Sequence, residues 1–273
     1  MLEGQSIESI SSKIKSHELK SEDVVKFFLN KIKQYNKDLN AIVSLRDETE
    51  IISEAKEKDR SIDNGNEIGL LHGMPLAIKD ITDVKELPTS FGCKEYKNNF
   101  PDEDSIISER LKKEGAIIIG KTNTAELAYG SQTSNRLFGS THNPYDITKT
   151  AGGSSGGAAA AVSSGMLPLA DGTDMMGSVR NPAAFCNLYG FRPTPGLIPE
   201  KRTEVSDIKY PLLSTLGGIA RTPDELSIFL DAVSGRDERD PFSFDLRNTF
   251  VNASMSEEDF NDIKIGWLSN LNG

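Results

Sequence analysis

The chain has 273 residues, 37% hydrophobic and 26% charged, enough for one large domain or two small ones. Its 31 basic and 41 acidic residues give a net charge of −10 without a basic run, which argues against direct nucleic-acid binding. Cys93 and Cys186 are too few for a disulfide framework and read as small buried residues. The start, MLEGQSIES, has an early acid and no apolar core segment, and no run reaches the roughly 20 apolar residues of a membrane helix. A cytoplasmic location away from membranes is expected.

In chain order, Ser6–Lys15 predicts a helix, with Ile7, Ile10 and Ile14 on one face. Ser21 is the expected N-cap of a second, with Val25, Phe28, Leu29 and Ile32 at helical spacing. Asn40–Leu45 reads as a strand, Asp47–Arg60 as a helix and Ser61–Glu67 as a loop. Met74–Lys79 is an apolar run after Gly73 that ends in a lysine, which suits a buried strand. Asp104–Gly115 predicts a helix with glycine past its end, followed by a β-branched strand from Ala116 to Ile119.

Gly115–Thr122 also satisfies the nucleotide-binding pattern GxxxxGK[ST]. Its four middle residues are one alanine and three isoleucines, which favour a buried strand over an open phosphate-binding turn. A nucleotide-binding module is therefore the weakest functional reading.

Thr150–Gly196 organises the chain. Two Gly/Ser-rich turns, Gly152–Gly157 and Gly172–Ser178, bracket an Ala-rich helix over Gly156–Ser164 and a strand over Leu167–Gly172. Such turns let backbone N–H groups converge on an anion. Leu188–Arg192 predicts a further strand and Pro193–Gly196 a turn. Thr222 to Glu225 is a capping box with proline at the first helical position, opening a helix to Ser234. Arg236–Ser256 reads as a loop and Ile263–Leu268 as a last strand. Alternating strands and helices predict an α/β fold.

The stretch from Thr150 closely resembles the signature of the amidase signature family of serine hydrolases. The match covers Gly152, Gly153, Ser154, Ser155, Gly156 and Gly157, then Gly172, Thr173, Asp174, Gly177 and Ser178. It continues through Arg180, Pro182, Phe185, Cys186, Gly190, Pro193, Thr194 and Gly196. GMPLAIKD resembles the family's GxPxxxKD segment, and Gly120–Asp146 resembles its connector. Asn187 and Met176 depart from the pattern, each standing where a glycine is usual.

The resemblance implies a mixed β-sheet core covered by helices, in one domain over residues 1–273 that looks truncated at its C-terminus. It implies a Ser-Ser-Lys triad with Ser178 as nucleophile, Ser154 as bridge, following a cis peptide, and Lys79 as base. The N–H groups of Met175, Met176, Gly177 and Ser178 would form an oxyanion hole. Ser155, Asp174 and Arg180 would support the turns. The substrate would be a small-molecule amide, with no cofactor and no metal.

Physical chemistry agrees with that division of labour. An amide carbonyl is a poor electrophile and a neutral serine a poor nucleophile, so a base and oxyanion donors are both required. His17, His72 and His142 lie outside the serine motifs, whereas burial can make a lysine neutral enough to act. Met176 is strained if its φ is positive, and otherwise only narrows or lubricates the acyl pocket. The leading expectation is an amidohydrolase of small or linear amides. The alternatives are the glutaminase subunit of a tRNA-dependent amidotransferase, and a truncated non-catalytic remnant. A truncated sheet would leave an uncovered edge and invite a homo-oligomer.

Overall fold

Isoleucines at helical spacing begin the computed structural model, which describes residues 2–201, 213–246, 250–251, 263–264 and 266. Helix α1 (Ile7–Lys15) buries Ile7, Ile10 and Ile14, and the Ser6 hydroxyl caps it by accepting the Ser9 N–H at 3.2 Å. Helix α2 (Ser21–Leu39) packs against α3 (Glu48–Asp63). Ser21 does not cap α2. It is the first helical residue, and the Asp59 carboxylate of α3 accepts the N–H groups of Ser21 at 2.6 Å and Glu22 at 3.2 Å. A carboxylate at a helix start also meets the positive end of the helix dipole, which a hydroxyl cannot exploit as well.

Three strands form the first sheet, in the order β1 (Ile42–Val43), β3 (Ile117–Thr122), β2 (Pro75–Lys79). β2 runs parallel to β3, and β1 antiparallel to it. Every residue of β2 and β3 is buried. The crossover from β2 to β3 carries α4 (Ile106–Lys113), capped by Ser105 rather than started at Asp104. β3 begins at Ile117 and runs on past Ile119 through Gly120, Lys121 and Thr122. The stretch that matched a phosphate loop is therefore largely buried strand.

Two short hairpins follow: β4 (Ser134–Asn135) with β5 (Gly139–Ser140), and β6 (His142–Asn143) with β7 (Asp146–Thr150). Helix α5 (Gly156–Ser163) comes next and has Gly156 through Val162 buried, as its small side chains permit. Then come β8 (Leu169–Asp174), α6 (Arg180–Phe185), β9 (Tyr189–Phe191), β10 (Thr215–Ala220) and α7 (Pro223–Val233). The second sheet is antiparallel, in the order β8-β10-β9. Its β10 and the short α6 were not expected from the sequence. Of the strand expected over Ile263–Leu268, Ile263, Lys264 and Gly266 are described and carry no strand; the rest of it and part of the loop expected over Arg236–Ser256 lie outside the described residues.

The two sheets meet where β2 packs against β8. Apolar side chains from α1, α4 and α7, among them Ile10, Ile107 and Phe229, fill one core cluster with Leu76 and Ile78 of β2. Side chains from α2, α3 and α5 fill the other with Ile117 and Ile119 of β3. Each fully buried Ile or Phe contributes about 1.5–3 kcal/mol. That packing fixes the end of β2, and with it Lys79, against the two serine turns. Among the described residues, no helix is long and apolar enough to cross a membrane.

Candidate active site

Lys79 is the last residue of β2 and has no exposed surface. Its Nζ donates to Ser154 Oγ at 2.7 Å and to Thr173 Oγ1 at 2.8 Å. Burial pulls its pKa down to about 7, against the upward pull of the Asp171 and Asp174 charges. An ammonium bonded to two hydroxyls in a dry site gives up its proton near neutrality.

Ser154 is buried, and the Gly153–Ser154 peptide is cis. Thr133, from the connector, clamps the loop on both sides. Its N–H donates to the Gly152 carbonyl at 3.0 Å, and its hydroxyl donates to the Ser154 carbonyl at 3.2 Å and accepts the Gly156 N–H at 2.8 Å. Ser155 is buried as well, and its hydroxyl reaches the Thr173 carbonyl at 3.5 Å. Its N–H donates to the Ser178 carbonyl at 3.1 Å, joining the two turns directly. Ser178 is half-buried, and among the described residues its hydroxyl has no hydrogen-bond partner, Ser154 included. The structure thus brings Lys79 to Ser154, and the backbone of Ser178 to Ser155.

Asp174 organises the second turn. It is buried and accepts the N–H groups of Gly177 at 2.7 Å, Val179 at 3.1 Å and Arg180 at 3.3 Å. The Arg180 guanidinium adds a fork, Nε at 3.0 Å and Nη2 at 2.9 Å. Burial pushes this carboxyl up, but Arg180 and the three N–H donors outweigh it and hold the pKa at about 2. Arg192 Nε braces the same residue by donating to the Asp174 carbonyl at 3.2 Å.

Of the four expected oxyanion donors, the Gly177 N–H donates to Asp174. The N–H groups of Met175, Met176 and Ser178 donate to no group among the described residues. Gly177 takes φ +104°, a conformation that L side chains rarely adopt, while Met176 keeps a negative φ and is unstrained. Met176 is 88% exposed and Met175 53%, so both thioethers flank the turn from the solvent side.

Three groups the sequence reading passed over also belong here. Thr173 holds the lysine head, Thr133 holds the serine loop, and Asp171 Oδ1 accepts the Lys79 backbone N–H at 2.9 Å. Alternation along β8 was the available signal, since residues 171 and 173 share a face. The histidines lie elsewhere in the bonding. His17 pairs with Asp63, and the His72 ring meets the Lys58 carbonyl at 3.0 Å. No group of three or more His, Cys, Asp or Glu that could hold a metal occurs among the described residues.

The family model described as Amidase matches residues 23–273. An acylamidase of Rhodococcus erythropolis is 36% identical over 263 residues, covering 96% of this chain and 54% of that protein. A glutamyl-tRNA(Gln) amidotransferase subunit of Clostridium acetobutylicum is 39% identical over 235 residues, 86% of this chain and 48% of that protein. The crystal structure of a bacterial aryl acylamidase of the amidase signature family superposes with a TM-score of 0.84 at 32% identity, over 90% of this chain and 51% of that one. The chain spans about half the length of the curated relatives it matches. By sequence and by fold alike, it belongs to the amidase family.

Proposed function

We propose that this chain performs amide hydrolysis through a serine acyl-enzyme, with Ser178, Ser154 and Lys79 acting in series. Ser178 Oγ attacks the carboxamide carbon, and its proton passes by way of Ser154 Oγ to Lys79 Nζ. The C–N bond then breaks as Lys79 returns the proton to the leaving amine. Water attacks the acyl-serine by the same route and releases the acid. The N–H groups of Met175, Met176 and Ser178 meet the oxyanion, while Gly177 stays bonded to Asp174. Asp174, Arg180 and Ser155 hold the turns and touch no reacting atom.

One observation carries this reading: a fully buried lysine whose head group, among the described residues, donates to the hydroxyls of Ser154 and Thr173 alone. A lysine whose pKa lies at about 7 is partly neutral at physiological pH, as a general base must be. The test is hydrolysis of a simple aryl amide by the wild-type chain and by Ser178→Ala. Turnover lost in the variant is expected. Turnover that survives in it would contradict the assignment.

A second reading draws on the amidotransferase relatives, up to 39% identical to this chain. In it, the same acyl transfer releases ammonia from glutamine for a partner subunit. Met175-Met176-Gly177-Ser178 and Arg180-Asn181-Pro182 are less like the Thr-Gly-Gly-Ser and Arg-Gln-Pro usual in such glutaminases, so the amidohydrolase reading is preferred. Glutamine cleaved in preference to the aryl amide would reverse that preference.

A further inference from the structure

We propose that Asp171 is a positioning residue for Lys79: it anchors the lysine backbone through the N–H and, through its own charge, sets the proton affinity of Nζ. The inference rests on the reading of Lys79 as the base.

Asp171 is 1% exposed, on the face of β8 that meets the end of β2. Oδ1 accepts the Lys79 N–H at 2.9 Å, yet Oδ2 is buried with no hydrogen-bond partner. A carboxyl kept only to tie down a strand would be expected to satisfy both oxygens or to be replaced by a neutral group. Two residues on, Thr173 shares the same face and holds Nζ. The pair grips Lys79 at both ends, one member by the backbone and the other by the head group.

The charged surroundings are few. Lys79 from β2 and Lys121 from β3 are both buried and both act on Asp171, and Asp174 lies on the same strand. The charges of Asp80, Asp171, Asp83 and Asp104 all act on Lys121. Opposite Asp171 in register stands Gly218 of β10, and α5, which packs on β8, has no charged residue. On α7, Glu225 is paired with Arg221 at 2.6 Å, and Asp231 accepts the N–H groups of Phe250 and Val251. The charged residues of α2 are not buried. Asp174 is itself paired with Arg180 and Arg192.

The sign follows from this placement. An ionised Asp171 favours the protonated lysine, while burial disfavours it. Burial pushes the Asp171 carboxyl up to about 6 and pulls Lys79 down to about 7, while the charge of each acts on the other in the opposite sense. Removing the charge while keeping an acceptor for the N–H leaves burial to pull Lys79 lower still.

Asp171→Asn does this, because its amide oxygen can still accept the Lys79 N–H. The probe is the 13Cε signal of Lys79 in lysine-labelled protein, assigned by its disappearance in Lys79→Met and followed through a pH titration. The Lys79 midpoint is expected to fall by about 0.5 pH unit or more in Asp171→Asn. An unchanged midpoint in the folded variant would overturn the proposal. Should Asp171→Asn fail to fold, the wild-type protein decides. The Asp171 13Cγ signal and the Lys79 signal should then share an inflection, and an Asp171 step with no response at Lys79 would overturn it. The readout is the proton on Lys79 and not turnover. A failure of this inference is thus distinct from a failure of the base assignment, which Lys79→Met would expose in the amide assay.

Discussion

Lys79 and Lys121 sit on neighbouring strands, have no exposed surface, and are each the next-to-last residue of a motif the sequence singles out. They lie one register step apart, with Lys79 opposite Thr122 and Lys121 opposite Ile78, so they leave the sheet on opposite faces. Lys79 emerges against the two serine turns, where its head group donates to the hydroxyls of Ser154 and Thr173. Lys121 emerges under the segment after β2, where it donates to the Thr82 carbonyl and, at 3.2 Å, to Thr89 Oγ1. Asp80 closes that side by accepting the N–H groups of Ser90 at 2.9 Å and Gly92 at 3.2 Å. Burial pulls both lysines down, Lys79 to about 7 and Lys121 to about 8. What separates them is the neighbour. Lys79 meets two hydroxyls, which can accept a proton and pass one on, whereas Lys121 meets a carbonyl, which can only accept a hydrogen bond, and a Thr89 hydroxyl outside the serine turns. Burial depresses the proton affinity of both; among the described residues only Lys79 touches a serine hydroxyl, that of Ser154.

The sharpest way to break this comparison is to blunt each lysine in turn with a side chain of similar shape. Lys79→Met should lower kcat/KM for an aryl amide by about 10²–10⁴-fold, as expected for loss of a general base. Lys121→Met should leave turnover nearly unchanged. It orphans the Thr82 carbonyl and should cost about 1–3 kcal/mol in urea denaturation. Loss of turnover in a folded Lys121→Met protein would erase the distinction between the two.

A second effect of similar size concerns stability. Asp174→Ala strips three backbone N–H groups and Arg180 of their shared acceptor, and should destabilise by about 3 kcal/mol. The folded carboxyl titrates at about 2, below its ordinary 3.8, so its contribution is present above pH 3.8 and lost as pH falls towards 2. Wild-type stability should therefore decline over that window more steeply than that of Asp174→Ala.

How much of this could be read in advance depends on what each residue needs. Lys79, Ser154 and Ser178 stood out because motifs of fixed spacing carry them, two of these being glycine-rich turns. The trap at Gly115–Thr122 was legible too, since three isoleucines cannot serve as an open turn. β10 was not, because its Gly217-Gly218 pair argues against a strand interior. The structure supplies the reason for those glycines: a Cβ at 217 would lie 2.3 Å from the Phe191 carbonyl, and one at 218 would lie 2.6 Å from the Phe229 ring. Close approach, and not turning, is what they provide, and local sequence cannot tell the two apart. Asp171 and Thr173 were missed for a related reason. Period-2 alternation shows that they share a face, but only the packing of β8 on β2 shows that this face is the one that meets Lys79.

The smallest effect tests a local correction. Asp59→Ala removes the carboxylate that accepts the Ser21 and Glu22 N–H groups, and should cost about 1 kcal/mol in thermal unfolding. Ser21→Ala should remove no cap at all. The reverse order would restore Ser21 as the cap of α2.

The most direct test of the central claim is the pH dependence of covalent labelling by a fluorophosphonate, read by peptide mapping in wild-type protein and in Lys79→Met. The adduct should sit on Ser178. Its rate of formation should rise as pH passes about 7, where the buried lysine loses its proton, and should collapse in the variant. Label on Ser154 or Ser155 with Ser178 unmodified, or labelling of Ser178 at the wild-type rate without Lys79, would contradict the account.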